Sequence, residues 1–371
     1  MLTSRSGLTR RVVAALDASP SRIPVLVGGC GSGRTTLVRQ LRDRAGRGPT
    51  LSLNVERTAT TPERFHQAMA ATSPLPVGSA ARDGARAAFD ATLDFFNRAR
   101  SSGGEPVTFL LDEFLELRTF ESFPGLRHVL HDFIDGISQS GNRFVLTSRY
   151  VVRTLKLLRD RSARFEVIHM PGFTIEDTLD VVGMAAAADA ADAEYTARSV
   201  HSLADGHPAY VCALAVELAQ MREHGGGDAV SALASLLGPE GRLSTLCGYC
   251  YELRLHRARG YGALKAILEI LGEQEGLTLT EISHRLHRTP GSTKDYLSWL
   301  EDVDLVTARQ KRYSFTDPVL RVWVRLHCRP TAPSDDDLAR EVHHYALPRL
   351  PRHEPVLVMA AAGSSGIIEI D

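Results

Sequence analysis

No apolar run in the 371-residue sequence reaches the ~18 uninterrupted residues that would cross a bilayer, which excludes a membrane-spanning helix. An excess of either charge is also missing, since 43 Lys and Arg stand against 44 Asp and Glu, a formal net charge of −1. That balance excludes a uniformly basic nucleic-acid coat protein, although such an average can hide a basic domain beside an acidic one. Nor is there a secreted disulfide framework, because five cysteines are odd in number and scattered. Cys247 and Cys250 form a lone CxxC with no second pair at zinc-finger spacing, and they read as one packed face of a helix. The first twenty residues are short of acids and rich in Arg and Ser, as in a transit peptide, but a surface helix leading into the first strand explains the same letters. The chain therefore reads as cytoplasmic. Its length and 43% hydrophobic content predict two or three folded domains.

The most informative stretch is IPVLVGGCGSGRTTLVRQLRDR. Ile23 to Val27 is a short apolar run, the signature of a buried parallel strand, and a helical pattern follows the glycine-rich turn. Gly28, four residues, then Gly33, Arg34 and Thr35 match the phosphate-loop spacing GxxxxGK[ST] in its strand–turn–helix context. Across Gly28, Gly29, Cys30, Gly31, Ser32, Gly33, Arg34, Thr35 and Thr36, small residues let backbone N–H groups wrap a phosphate without side-chain clashes. The helix N-terminus adds its dipole, and the Thr35 hydroxyl is placed for Mg²⁺. Arg34 departs from the pattern. It keeps the positive charge of Lys but replaces a compact point charge with a longer planar fork, so ATP binding is expected and catalytic geometry is in question.

A second buried run, Val107 to Leu111, ends in Asp112 and Glu113, the order of a Walker B strand. Asp112 would hold Mg²⁺ through water, and Glu113 would polarise the attacking water. The third run, Arg143 to Thr147, ends in Thr147, Ser148 and Arg149. Thr147 is placed to sense a γ-phosphate; Arg149 is either a charge clamp on that phosphate or a solvated loop cation. Two further strands are readable at Thr50 to Val55 and Arg164 to Met170. The β-α alternation predicts an α/β parallel sheet with every motif at the strand carboxyl ends.

With GGCGSGRTT at 28–36, LLDEF at 110–114, LTSR at 146–149 and DGHPAY at 205–210, the chain resembles the additional-strand, catalytic-glutamate P-loop ATPases. More narrowly, it is similar to the archaeal-type ATPases and their STAND relatives within the AAA+ group. The resemblance implies an ATPase core at 1–175, a helical lid at 176–256 and a winged helix at 257–330. It also implies that Pro208, in the lid's Gly-x-Pro, packs near the adenine; alternatively Pro208 only starts the helix AYVCALAVELAQM.

Residues 257–330 read as three helices and a hairpin whose tip is Arg309–Gln310–Lys311–Arg312, a winged helix-turn-helix, with Thr280 as an N-cap of the second helix. This unit holds twelve basic and nine acidic residues. Lys294, Arg309, Lys311 and Arg312 are its candidates for duplex DNA, yet the basic face is sparse for a dedicated reader, and packing on the ATPase or on a partner protein is the alternative. The segment 331–371 holds three basic and seven acidic residues and is expected to be a flexible acidic tail, its β-prone end at Ile367–Asp371 able to add a strand to a partner sheet. Three functions follow: a slowly hydrolysing ATP–Mg²⁺ switch that engages DNA or a protein, a DNA-binding transcriptional regulator with a structural nucleotide site, and a scaffold in a defence or transposition system.

Overall fold

Each of the five apolar runs becomes a strand in the computed structural model, which describes residues 3–44, 49–77, 84–185, 190–256, 258 and 260–351. They are β1 (Ile23–Val27), β2 (Thr50–Asn54), β3 (Thr108–Asp112), β4 (Arg143–Ser148) and β5 (Phe165–His169). All are parallel, in the order β2-β3-β4-β1-β5. The strand β4 thus lies between the phosphate-loop strand β1 and the Asp112–Glu113 strand β3. Central β1 and β3 are buried at every position, whereas edge strand β2 alternates, which is why the central strands read as continuous apolar runs.

Period-two alternation still divides the sheet into two faces. Leu26, Leu110, Val145 and Ile168 pack under α1 (Thr3–Asp17) and α2 (Arg34–Arg44), with Val12 and Leu37. The opposite face is covered by α3 (Val55–Thr58), α4 (Pro62–Thr72), α5 (Ala85–Arg98) and α6 (Val129–Ser138). Its core is aromatic: Phe96 meets Phe109 edge-on at 4.9 Å, and Phe109 stacks on Phe144 at 5.2 Å. The first helix is the expected surface helix leading into β1, with Arg10, Arg11 and Ala14 exposed on its outer face. Val12 is fully buried, because the apolar stripe of α1 closes the sheet.

Short α7 (Val151–Leu158) follows β4. The lid region is α8 (Ile175–Ala185), α9 (Ala190–Ala204), α10 (Pro208–Glu223), α11 (Ala229–Leu237) and α12 (Arg242–Leu255). Cys247 and Cys250 are both buried on α12, as a packed helical face requires.

Next come α13 (Tyr261–Glu273), β6 (Leu277–Thr278), α14 (Leu279–Arg285), α15 (Pro290–Asp302), β7 (Val306–Arg309) and β8 (Arg312–Phe315), the element order of a winged helix. The antiparallel sheet runs β6-β8-β7, and Gln310 and Lys311 at the hairpin tip both have positive φ, 51° and 62°. The N-cap of α14 is Thr278, not Thr280: Glu281 lies three residues beyond Thr278, and the two close a capping box. After α16 (Pro318–His327), the expected flexible tail instead forms α17 (Asp335–Ala346). Ser334 and Asp337 cap it, Glu341 pairs with Arg325 of α16 at 2.7 and 2.9 Å, and Tyr345 donates to the Leu203 carbonyl at 2.8 Å. The β-prone end at 367–371 lies outside the described residues.

Candidate functional site

The loop 28–33 connects the end of β1 to the first turn of α2. Its glycines are needed for two different reasons. Gly31 and Gly33 hold φ of 76° and 88°, a conformation that suits residues without a Cβ, while a Cβ on Gly28 would lie 2.8 Å from Ser32 Oγ. The first N–H groups of α2 have no intrahelical acceptor, and the Ser32 hydroxyl, buried, has no partner either. Thr35 and Thr36 are exposed at the mouth of the loop. This is a cradle of unused donors at a helix N-terminus.

The strand order brings Asp112 and Glu113 to the same end. Thr35 Oγ1 donates to Asp112 Oδ2 at 3.1 Å, Asn54 Nδ2 approaches the same oxygen at 3.4 Å, and Thr147 Oγ1 donates to Asp112 Oδ1 at 2.5 Å. Thr147 also accepts from the Glu113 N–H at 2.9 Å. It therefore fixes the two acids relative to β4, rather than presenting a free hydroxyl. Among the described residues no group of three or more His, Cys, Asp or Glu side chains forms a metal site by itself. Thr35 and Asp112 leave two neighbouring oxygens, which suits Mg²⁺, an ion that keeps water and phosphate oxygens as its other ligands.

Glu113 sits between two arginines. Arg34 Nη1 is 2.8 Å from its Oε1, and Arg149 Nε is 3.0 Å from its Oε2, with all three side chains at most 7% exposed. Neither guanidinium contact is aligned as a hydrogen bond, so both are ion contacts; the Arg149 backbone N–H, however, donates to Oε2 at 3.0 Å. Glu113 adopts φ 60°, a left-handed turn that aims the carboxylate back across the sheet end. Arg149 is also paired with Glu56. Burial would pull its pKa down, but Glu113 and Glu56 hold it above the ordinary value. The solvated-cation reading of Arg149 is overturned, since it is 3% exposed and neutralised by two carboxylates.

The lid meets the loop through α10. His207 Nε2 donates to the Cys30 carbonyl at 2.8 Å, and a Cβ on Gly31 would lie 2.7 Å from Ala209 Cβ. Burial pushes the His207 pKa down, so the ring is neutral and donates from Nε2. Pro208, the first residue of α10, lines a cleft of ≈ 850 Å³ together with Gly31, Gly33, Thr35, Thr36 and Phe173. Pro208 starts the helix, as one of its two sequence readings has it, and it also lines the loop's cleft.

Two links run from this site to the winged helix. The His207 ring packs tilted against Tyr210, with centroids 4.0 Å apart, and Tyr210 donates to Asp317 at 2.6 Å, the residue that caps α16. On the other side, Asp304 accepts from the Val151 and Val152 N–H groups at 2.6 and 3.2 Å, capping α7 directly beyond Arg149. Arg153 of α7 lies 4.6 Å from the Trp299 ring, and Lys156 reaches Asp302 at 2.5 Å. The carboxyl end of α15 is thus docked on the core. Lys294, Arg309, Lys311 and Arg312 remain exposed, on the free part of α15 and the hairpin tip, away from the cleft.

Several site residues carried no readable signal. Arg5 of α1 donates to the Ser32 carbonyl at 3.0 Å and the Pro171 carbonyl at 3.2 Å, bracing the loop from below. His207 lies inside the DGHPAY segment, and Glu56 follows a strand end on the same side as Asp112; those positions were the only clues. Arg254 of α12, 7% exposed with an unpartnered Nε, stands 3.6 Å from where a Cβ of Gly29 would be.

No protein-family model and no curated protein sequence matches the chain. Solved structures do. The Walker-type ATPase of Pyrococcus abyssi is 17% identical, with a TM-score of 0.63 over 86% of this chain and 95% of its own. The Aeropyrum pernix Orc1 protein in complex with DNA is 16% identical, at 0.47 over 88% and 93%. Cdc6p from Pyrobaculum aerophilum is 12% identical, at 0.44 over 95% and 96%. The likeness to the Pyrococcus abyssi protein is one of fold: this chain has the fold of a Walker-type ATPase along most of its length.

Proposed function

We propose that the protein is an ATP-binding, slowly hydrolysing switch whose nucleotide state is passed to its winged helix, which engages duplex DNA or a protein partner. One observation carries this reading: the phosphate loop shares a cleft with the lid's Pro208 and holds Asp112 and Glu113 through Thr35 and Arg34, and this assembly is linked to the winged helix through Asp317 and Asp304. In this reading the N–H groups at 31–36 bind the phosphates and Pro208 and Phe173 flank the base. Thr35 and Asp112 would hold Mg²⁺, which neutralises charge on the phosphate oxygens when bound. Arg34 faces both the phosphates and Glu113. A bound triphosphate competes for its guanidinium and frees one side of the carboxylate, which then orients water. Until that exchange occurs Glu113 is occupied, and this supports slow turnover.

Closing the lid on nucleotide moves His207 and Tyr210, and with them the cap of α16. A change at Glu113 is felt by Arg149 and, next in the chain, by α7 and Asp304. The exposed cations Lys294, Arg309, Lys311 and Arg312 then contact phosphates of a duplex.

Saturable ATP binding with Mg²⁺, weakened by Thr35→Ala, together with turnover lost in Glu113→Gln, is the expected result. Absence of binding in the wild type with no effect of Thr35→Ala refutes it. Replacing Arg309, Lys311 and Arg312 by Ala should lower DNA affinity, and the slope of log affinity against log salt should flatten by about one for each phosphate no longer neutralised. A second reading, a DNA-binding regulator with a non-hydrolysing site, is favoured by the Arg34–Glu113 ion pair alone. It predicts binding without turnover in both the wild type and Arg34→Lys.

A further inference from the structure

A cavity of ≈ 1120 Å³ lies at the seam of core, lid and winged helix. The core supplies Glu56, Tyr150 and Arg153 to its wall, α12 of the lid supplies Arg254, and α15 supplies Trp299 and Asp302. It shares no lining residue with the cleft beside Pro208. It touches the end of the sheet through Glu56, which pairs with Arg149, which in turn meets Glu113.

The carboxylates of this wall are taken. Glu56 pairs with Arg149, Glu121 with Arg118 and Asp302 with Lys156, and Glu116 is not free either. Two guanidiniums are left over. Arg153 lies over the Tyr150 and Trp299 rings, 5.2 and 4.6 Å from their centroids, and among the described residues it is in no ion pair. Burial, and then the charge of Arg118, pull its pKa below the ordinary value. Arg254 is 7% exposed and its Nε has no partner; nor has Nε1 of Trp299. A buried donor without an acceptor is costly, and a charged one more so. The surplus on this wall is of one kind, N–H donors and positive charge.

We propose that this cavity is a second small-molecule site, which binds an aromatic phosphate monoester. A phosphomonoester dianion matches the two guanidiniums in charge, and its three terminal oxygens accept from the Arg153 fork, Arg254 Nε and Trp299 Nε1. A monoanion would leave one guanidinium uncompensated. The rest of the wall includes Leu115, Leu130, Leu157 and Leu253 beside Tyr150, which suits a ring, and the volume admits a body of nucleotide size. The three donors come one each from core, lid and winged helix, so the bound ligand holds the winged helix seated on α7. Nothing in this site requires ATP in the phosphate loop, and it stands or falls apart from the function proposed above.

The test uses the full chain with ADP and Mg²⁺ in excess, to keep the probes out of the phosphate loop. Phenyl phosphate and AMP are the probes, inorganic phosphate and benzoate the controls. Calorimetry measures binding, and tryptophan emission reports its place, since Trp299 is one of two tryptophans. One or both probes should bind one per chain with a Kd below about 1 mM and change the emission, and both controls should bind at least about tenfold more weakly. AMP alone marks a nucleotide ligand, phenyl phosphate alone another aryl phosphate. Trp299→Phe should abolish the emission change, and Arg153→Gln, at a half-buried position, should weaken binding about tenfold or more. Amide exchange at Val151 and Val152 should slow with probe bound; binding that leaves it unchanged refutes the seating of the winged helix. No saturable binding of either probe, inorganic phosphate bound as tightly, or an affinity that Arg153→Gln leaves unchanged overturns the site, and the wild-type titration decides this even if a variant misfolds. Probe binding abolished by Thr35→Ala lies in the phosphate loop and overturns it too. If ADP itself does not bind, the nucleotide reading fails and the probe titration still decides this one.

Discussion

Replacing Glu113 by Gln removes one negative charge from a space in which two buried arginines share it. Losing one partner of a buried ion pair costs about 3–5 kcal/mol, because the remaining charge is left without compensation. Here the loss is softened twice: Arg149 keeps Glu56, and the amide oxygen of Gln can still accept from the Arg149 N–H. Among the described residues Arg34 has no such second carboxylate, so its guanidinium carries the larger share. The net expectation is a loss of about 2–3 kcal/mol without nucleotide, which at roughly 2–4 °C per kcal/mol lowers the melting temperature by about 4–12 °C. A bound triphosphate supplies Arg34 with a new anionic partner. The deficit should therefore shrink with ATP and Mg²⁺, so the variant shows a larger ligand-induced rise in melting temperature than the wild type. Turnover should fall by about 10²–10⁴ with the loss of the base. Thermal unfolding with and without nucleotide, beside steady-state phosphate release, measures both effects. An unchanged melting temperature without nucleotide, or an equal deficit with and without it, would refute the view that Arg34 trades Glu113 for phosphate.

Asp304→Ala removes the cap of α7 at a position with φ 56°, and should cost about 1–2 kcal/mol, with amide exchange at Val151 and Val152 accelerated roughly tenfold; Asp304→Asn, which tolerates that conformation and keeps an acceptor, should be close to wild type. At the hairpin tip, Gln310→Asn relieves a left-handed Gln and should stabilise the winged helix by up to about 1 kcal/mol in chemical denaturation. The Glu341 carboxyl is held below the usual 4.5, first by its hydrogen bonds from Arg325. Its contribution is therefore fully present above about pH 4.5 and lost as pH falls through the depressed folded value. Docking of α17, followed through amide exchange at Val342 and Tyr345, should weaken in that acid window, and Glu341→Gln should weaken it at neutral pH and flatten the dependence.

The five strands were legible because buried parallel strands are apolar at successive positions, and their observed ends fall within a residue of the expected ones. The phosphate loop was legible because its function depends on local spacing from Gly28 to Thr35. What the site does with Arg149 was not, because its partners Glu56 and Glu113 are 93 and 36 residues away and only the sheet order joins them. Thr147 reads from the sequence as a phosphate sensor, and its bonds to Asp112 and the Glu113 N–H depend on the sheet order. The acidic helix at 335–346 was hidden by its composition. Three aspartates in its first turn suit a helix N-terminus, but docking depends on Glu341 finding Arg325, a tertiary event. Cys250 reads correctly as a buried helical residue.

The arginine in the phosphate loop has a consequence for amine chemistry. The sequence contains four lysines, at 156, 265, 294 and 311, and none is in the loop. A guanidinium stays protonated, so acylating nucleotide reagents that label a loop lysine find no nucleophile at Arg34. Acylation instead reads the other half of the molecule. Lys294 and Lys311 lie open on the helix and hairpin that face outward, while Lys156 is ion-paired to Asp302. The labelling rate of Lys156 is thus a built-in gauge of whether the winged helix is seated on α7 or has swung away.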